Sequence, residues 1–190
     1  MQKTLSVINL AAIRQNALKI KALIKNRVFY AVVKADAYGH GAEEVARSIG
    51  DIADGFCTAI IDEAVALRVA GVTKPVLVFT PPIDYADVRR ARAYELTLTV
   101  NSVHTARLLG GAPCHIKVNT GMNRLGCNLD ELPEVLRALP EGSVEGVYSH
   151  LFAPQDNAAS AKQLAIFKRA ERLVKTFKPT ACAHISASGG

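Results

Sequence analysis

"FYAVVKADAYGHG", residues 29–41, begins as an apolar run typical of a buried strand and ends as a loop with two glycines, Gly39 and Gly41. One lysine, Lys34, stands where the strand gives way to the loop. Long charged side chains usually reach water, so the ordinary explanations are snorkelling from the strand end, an ion pair with Asp36 or solvent exposure. The functional alternative is that Lys34 lies at the carboxyl end of an interior strand, where α/β proteins bind ligands.

Seven apolar runs predict strands, and they alternate with segments of helical periodicity. Such alternation predicts parallel βαβ units, which both a doubly wound sheet and a (β/α)8 barrel contain. Regular spacing and the lack of a glycine-rich phosphate fingerprint after the first strand favour the barrel. We therefore predict an α/β fold: a (β/α)8 TIM-type barrel, incomplete, with about seven of its eight parallel strands. The predicted strands are 28–33, 54–60, 75–79, 96–100, 114–118, 144–149 and 181–187, and the predicted helices are 10–25, 42–49, 61–70, 84–93, 102–109, 130–138 and 158–176.

Composition excludes several classes of protein. The chain has 190 residues, 49% of them hydrophobic, which is enough for a sizeable core. No apolar stretch approaches the roughly 20 residues of a membrane span, and we expect a cytoplasmic protein that does not bind membranes. The net charge of +6 comes from basic residues scattered along helix-like faces, so we expect small anionic ligands rather than nucleic acid. The four cysteines lack CxxC spacing, which predicts reduced, buried thiols and no metal site.

Polar residues follow other predicted strands as well. In "HIKVNTGMNRLGC", 115–127, Arg124 is suited to pairing with a carboxylate, and Lys117 lies within a strand, where it needs an anionic neighbour or a modification. Surface exposure is the alternative for Arg124. His150 and His184 stand at strand ends, where hydrogen bonding to neighbouring groups is the commoner role for an isolated histidine.

Two further features complete the candidate site. Tyr38 offers a ring and a hydroxyl near Lys34, with a structural tyrosine as the equal alternative. "SASGG", 186–190, follows the seventh predicted strand, where barrels commonly bind phosphate, although a plain glycine-rich segment explains it as well. A lysine able to form a Schiff base, an aromatic ring, a phosphate site and an arginine for a carboxylate together predict a pyridoxal phosphate enzyme acting on an amino acid.

Four segments resemble bacterial alanine racemases, in the family's order. "AVVKADAYGHG", 31–41, is similar to the family's cofactor-lysine motif, and "KVNTGMNRLG", 117–126, is similar to its second hallmark. "YSHLFAPQD", 148–156, and "HISASGG", 184–190, match later barrel segments more loosely. Three departures affect loop details: Asn119 stands where many members have Asp, Ala187 where many have Asn, and "HLFAPQD" is about one residue longer than usual.

The resemblance implies a role for each matching residue. Lys34 would hold pyridoxal 5′-phosphate and act as one of two opposed acid/base groups, while Tyr38 and Ser188 would contact the cofactor phosphate. Arg124 would lie near the substrate carboxylate and the cofactor O3′. Lys117 matches a lysine that is carbamylated in several members, and His150 and His184 match supporting hydrogen-bonding residues.

The resemblance also implies a domain and an activity. Residues 1–190 would be a truncated N-terminal PLP-binding barrel domain, without the C-terminal β domain that supplies the opposing catalytic tyrosine across a homodimer interface. The whole enzyme would interconvert L-alanine and D-alanine for peptidoglycan. Because racemisation needs a base on each face of the substrate, we expect residues 1–190 alone to be inactive.

Other functions remain open. The nearest alternative is a single-domain pyridoxal phosphate carrier of the same barrel type, in which the full second hallmark is not expected. A decarboxylase of this barrel class fits less well, because its lysine motif is closer to FYAVKCN. A non-catalytic module that binds anions or a partner would leave Lys34 unmodified.

Overall fold

The computed structural model describes residues 4–187, which form two compact units of parallel strands and helices. The first unit extends to Phe79 and includes Tyr94–Leu96. The second comprises Thr80–Ala93 and the chain from Thr97 onward. None of the helices in the described part of the chain is long and apolar enough to cross a membrane.

The first unit is built on a parallel sheet in the order β1-β2-β3. Strands β2 and β3 are buried on both faces, as parallel strands covered by helices are, whereas β1 is an edge strand with Val32 half exposed. Gly55 of β2 is required by packing, since a Cβ there would lie 2.5 Å from the ring of Tyr30. The elements are α1 (Leu10–Ile24), β1 (Tyr30–Val32), α2 (Lys34–Gly39), α3 (Ala42–Ile49), β2 (Gly55–Thr58), α4 (Ile61–Val69) and β3 (Val76–Val78).

The second unit contains a parallel sheet in the order β4-β5-β6-β7. Its helices begin and end with ordinary caps: the Ser102 hydroxyl accepts from the backbone N–H of Thr105, and the Asp156 carboxylate accepts from the first turn of the last helix. The elements are α5 (Tyr85–Ala93), β4 (Leu98–Val100), α6 (Val103–Leu109), β5 (Cys114–Lys117), α7 (Leu132–Arg137), a 3-10 turn (Glu141–Ser143), β6 (Val144–His150), α8 (Asn157–Phe177) and β7 (Cys182–Ser186).

All seven predicted strands and all seven predicted helices are present, so the α/β alternation is confirmed. Three expectations were wrong in detail. The predicted glycine-hinged loop after β1 is the short helical turn α2, β1 is an edge strand rather than a buried one, and Cys182 is exposed. Cys57, Cys114 and Cys127 are free and buried as predicted, and burial raises the pKa of each thiol to about 12.

Candidate functional site

The segment after Lys34 forms a left-handed helical turn. Residues Ala35, Asp36, Ala37 and Tyr38 have φ between 51° and 55° and ψ between 40° and 47°. A left-handed conformation costs a residue with a side chain roughly 1–2 kcal/mol, so four in succession need support from their surroundings. Gly39 continues the turn at φ +82°, which glycine adopts without that cost.

Hydrogen bonds hold this turn from both sides. The backbone N–H of Ala35 donates to Oε1 of Glu63 at 2.7 Å, and the N–H of Ala42 donates to Oδ1 of Asp36 at 2.7 Å. Asp36 is thus engaged with the start of α3. The strand end itself is fixed, because Val33 N–H donates to the Cys57 carbonyl of β2 at 2.9 Å.

The structure brings Lys34 and Tyr38 together. The Lys34 ammonium lies 5.7 Å from the centroid of the Tyr38 ring, within cation–π range, and Tyr38 is 68% exposed. Lys34 is half-buried, so its amine is neither sequestered in the core nor fully in solvent. An amine of this kind at a strand end is accessible to an aldehyde.

In the second unit a polar cluster crosses one face of the sheet. Strand register aligns Thr99, His115, Gly146 and Cys182 in one row, and Lys117, Tyr148 and His184 in the next. Residues two apart on a strand share a face, so the two rows lie on the same side. We use "polar cluster" for Thr99, His115, Lys117, Tyr148, Cys182 and His184.

Tyr148 is the centre of the polar cluster. Its hydroxyl hydrogen-bonds with that of Thr99 at 2.8 Å, and its ring stacks on His184 with centroids 4.9 Å apart and planes 4° from parallel. The Lys117 ammonium lies 4.6 Å from the centroid of the same ring. Burial, and then the positive charge of Arg124, lowers the pKa of Lys117 to about 8.

Two histidines of the polar cluster share a hydrogen bond, with His115 Nδ1 lying 3.0 Å from His184 Nε2. Burial, and then His184, lowers the pKa of His115 to about 3. Desolvation of the stacked ring, and then the charge of Lys117, lowers the pKa of His184 to about 4. Both imidazoles are therefore neutral near pH 7, and one donates while the other accepts.

Gly146 makes room for the cluster. A Cβ there would lie 2.7 Å from the Cys182 sulfur and 2.8 Å from the His115 ring. The donor atoms of His115, Cys182 and His184 all lie within 4.8 Å of one another, a set that the sequence did not predict. Two of these possible metal ligands, His115 and His184, already hydrogen-bond to each other. The positive charge of the nearby Lys117 also disfavours a bound cation.

Arg124 lies on a loop that Asn119 organises. The side-chain oxygen Oδ1 of Asn119 accepts from the backbone N–H groups of Gly121 and Asn123. Its side-chain nitrogen Nδ2 donates to the side-chain oxygens of Asn123 and Asn128. An aspartate could not donate those last two bonds, which gives a local reason for the departure noted at this position. Gly126 closes the loop, and a Cβ at this position would lie 2.5 Å from the backbone nitrogen of Asn119. Arg124 itself is exposed.

Two predicted residues remain, His150 and Ser188. His150 ends β6 half-buried, and its carbonyl accepts from the Gln163 amide at 3.0 Å. Ser188 lies outside the described residues. Sequence reasoning missed Glu63, Thr99, His115 and Tyr148; for His115 the usable signal was its spacing, two residues before Lys117 on the same strand.

Comparisons with known proteins agree on one family. Residues 8–190 match the family described as "Alanine racemase, N-terminal domain". An alanine racemase from Streptococcus agalactiae serotype Ia is 41% identical over 179 residues, which are 87% of this chain and 48% of that protein. The chain therefore spans about half the length of the curated relatives it matches.

Solved structures give the same result for the fold. The alanine racemase of Bacillus anthracis with bound L-Ala-P superposes with a TM-score of 0.85 and 32% identity, covering 96% of this chain and 51% of that one. An alanine racemase of Clostridium difficile gives a TM-score of 0.86 and 27% identity, covering 98% of this chain and 57% of that one. The fold is that of the barrel domain of these enzymes, present incompletely. By sequence and by fold, this chain belongs to the alanine racemase N-terminal domain family.

Proposed function

We propose that residues 1–190 are the cofactor-binding domain of an alanine racemase, a pyridoxal phosphate-dependent isomerase that interconverts L-alanine and D-alanine. One observation carries the proposal: Lys34 lies two residues beyond the end of β1, half-buried, with the Tyr38 ring 5.7 Å from its ammonium. This is the arrangement expected of the stretch that resembles the family's cofactor-lysine motif. Supply of D-alanine for peptidoglycan, a cytoplasmic location and a homodimeric state belong to the same proposal.

Pyridoxal 5′-phosphate fits the chemistry of the Lys34 turn. The cofactor is an aldehyde with an aromatic ring and a phosphate, so it requires an accessible amine and a neighbouring hydroxyl or ring. Lys34 supplies the amine, and Tyr38 supplies the hydroxyl, which we assign to the phosphate. When bound, the cofactor supplies the electron sink that makes the α-hydrogen of an amino acid acidic.

Lys34 has two proposed tasks, to hold the cofactor and to move a proton between its Nζ and the α-carbon of alanine. Inversion requires an acid/base group on each face of that carbon. The resemblance assigns the second group to a tyrosine in the half of the relatives that this chain does not match. One lysine therefore accounts for proton exchange on one face only.

The resemblance gives roles to residues of the second unit as well. We assign Arg124 to the substrate carboxylate and the cofactor O3′, because a guanidinium can form paired hydrogen bonds with a carboxylate. Lys117, with its pKa lowered to about 8, is partly unprotonated under mildly alkaline conditions, which suits the carbamylation seen in several members. His150 and His184 would support through hydrogen bonds, and Ser188 would contact the phosphate.

Covalent mapping tests the cofactor assignment. The chain is incubated with pyridoxal phosphate, reduced with borohydride and digested, and the modified peptides are identified by mass spectrometry. We expect one dominant adduct, on Lys34, that is absent in Lys34→Ala. Lys74, an exposed lysine of the same unit, gives the matched control variant Lys74→Ala, which should leave the Lys34 adduct unchanged. Labelling spread evenly over surface lysines would contradict the assignment.

A racemase assay tests the activity. We expect the chain fused to the C-terminal half of the Streptococcus agalactiae relative to interconvert D- and L-alanine, and the 190-residue chain alone to do so far more slowly. Lys34→Ala in the fusion should abolish the reaction. A fusion that binds the cofactor at Lys34 yet leaves optically pure alanine unchanged would favour the carrier function instead.

A further inference from the structure

We infer that Glu63 is a positioning residue for Lys34. Its carboxylate ties the left-handed turn that follows Lys34 to the loop that follows the neighbouring strand β2. This inference rests on the proposed role of Lys34 as the cofactor lysine. Glu63 itself touches neither the lysine side chain nor the reacting atoms in this proposal; it acts through the backbone.

The two carboxylate oxygens of Glu63 serve two different segments. Oε1 accepts from the backbone N–H of Ala35, 28 residues away in sequence and next to Lys34, at 2.7 Å. Oε2 accepts from the N–H groups of Ala59 at 2.7 Å and Ile60 at 3.3 Å. The carboxylate therefore bridges the carboxyl ends of β1 and β2, which are paired strands.

An ordinary helix-start role explains two of these three hydrogen bonds. Glu63 is the third residue of α4, and its bonds to Ala59 and Ile60 are those of an acidic residue in a first helical turn. The bond to Ala35 contributes nothing to α4. It reaches instead into the turn whose four residues hold an unfavourable left-handed conformation.

The position of the bond decides its consequence. Ala35 is the residue directly after Lys34, so its N–H belongs to the peptide group that fixes where the Lys34 side chain leaves the backbone. A hydrogen bond from a backbone N–H to a carboxylate is stronger than one to a neutral oxygen. Loss of the carboxylate should release the Lys34 turn while the sheet, held by its own ladder, persists.

The test compares Glu63→Ala with Glu43→Ala, since Glu43 is an exposed acidic residue in the first turn of α3 in the same unit. Without cofactor, hydrogen exchange at the Ala35 amide should accelerate about tenfold or more in Glu63→Ala, the loss expected for one charge-assisted hydrogen bond. With pyridoxal phosphate and borohydride, half-labelling of Lys34 should need about tenfold more cofactor. Glu43→Ala should change neither value, and Glu63→Gln, which keeps one acceptor oxygen, should recover part of the loss.

Each outcome decides the matter. Unchanged Ala35 exchange and unchanged Lys34 labelling in Glu63→Ala would overturn the inference. Equal acceleration at the Ala35 amide and at the core amide of Phe56 would overturn it too, because Glu63 would then stabilise the unit as a whole. If the unsubstituted chain is not labelled at Lys34, the proposed function fails, and the Ala35 exchange rate alone still shows whether Glu63 holds the turn.

Discussion

Four residues with side chains, Ala35 to Tyr38, adopt left-handed geometry directly after the lysine on which the proposed chemistry depends. Only glycine adopts this region freely, so the turn stores conformational free energy that Glu63, Asp36 and the strand end must offset. Strain of this kind concentrates at functional sites because it aims a side chain that a relaxed turn would direct elsewhere.

Replacement of Ala35 by glycine should therefore not destabilise the protein. Relief of about 1–2 kcal/mol of left-handed strain is offset by roughly 0.5–1 kcal/mol from the greater freedom of glycine in the unfolded chain. We expect the free energy of unfolding in urea to stay constant or to rise by up to about 1 kcal/mol. Ala66→Gly, at an exposed site in α4, should lower it by about 1 kcal/mol. An equal loss in both variants would mean that Ala35 is not left-handed in solution.

The sequence supported a prediction of Lys34 and Tyr38 but not of what holds them. The sequence itself shows a lysine at the end of an apolar run and a tyrosine four residues later. The left-handed turn was invisible because alanine disfavours that region, and only tertiary contacts such as the Glu63 bond impose it. Asp62 and Glu63 both lie in the first turn of α4, and it is the Glu63 carboxylate that accepts from the N–H groups of Ala59 and Ile60.

Among the elements, β5 has an unusual composition for a buried strand. It is fully buried, yet it carries His115 and Lys117, which point to the same face. The neighbouring strands make this possible: β6 supplies Tyr148 and the space above Gly146, and β7 supplies His184. A buried polar face of this kind makes the stability of the unit depend on pH.

Acid should destabilise the second unit through His115. Its folded pKa of about 3 lies below the ordinary value of 6.5, so the unfolded chain takes up the proton first as pH falls. The contribution of the neutral His115 ring to stability is therefore complete above pH 6.5 and is lost as pH falls toward 3, by up to a few kcal/mol at about 1.4 kcal/mol per pKa unit. Urea unfolding at a series of pH values should show this slope, and His115→Gln should reduce it.

His104, exposed on α6 of the same unit, supplies the control. His104→Gln should leave the acid slope unchanged. If both variants retain the full slope between pH 6.5 and 4, the His115 ring is not the group that titrates.

Elements were the most predictable level of this structure. Apolar runs and helical periodicity identified every strand and every helix except α2 and the 3-10 turn. The composition of the polar cluster was not predictable from the sequence, because strand register decides which residues of neighbouring strands lie side by side. The spacing of His115 and Lys117 predicts a shared face, but only the register places Tyr148 and His184 beside them.

At the level of the whole molecule, alternation of strands and helices was sufficient to predict a parallel α/β fold, because few other arrangements bury such segments. The polar motifs then predicted the family, since four of them occur in one order. Composition contributed the least specific information: a net charge of +6 fits both small anionic ligands and nucleic acid. Distribution of the charge, rather than its size, favoured the former.

Exposed strand edges should make the chain self-associate. Within residues 4–187, β7 lies at the edge of its sheet, with β6 on its other side, and Cys182 and Ala183 are exposed on it. An open edge pairs readily with another chain, while the net charge of +6 opposes association, so added salt should strengthen it by screening that repulsion. We expect light scattering after size-exclusion chromatography to show a molar mass that rises with concentration and with salt.

A charge placed on the edge should weaken this association. Ala183→Lys adds an ammonium to β7, whereas Ala161→Lys adds the same charge at an exposed site on α8, so both raise the net charge equally. Edge pairing predicts that only Ala183→Lys keeps the chain monomeric at concentrations where the unsubstituted chain associates. Equal effects of the two substitutions would show that general repulsion governs association, and a monomer at every concentration and salt would show that the β7 edge is protected in solution.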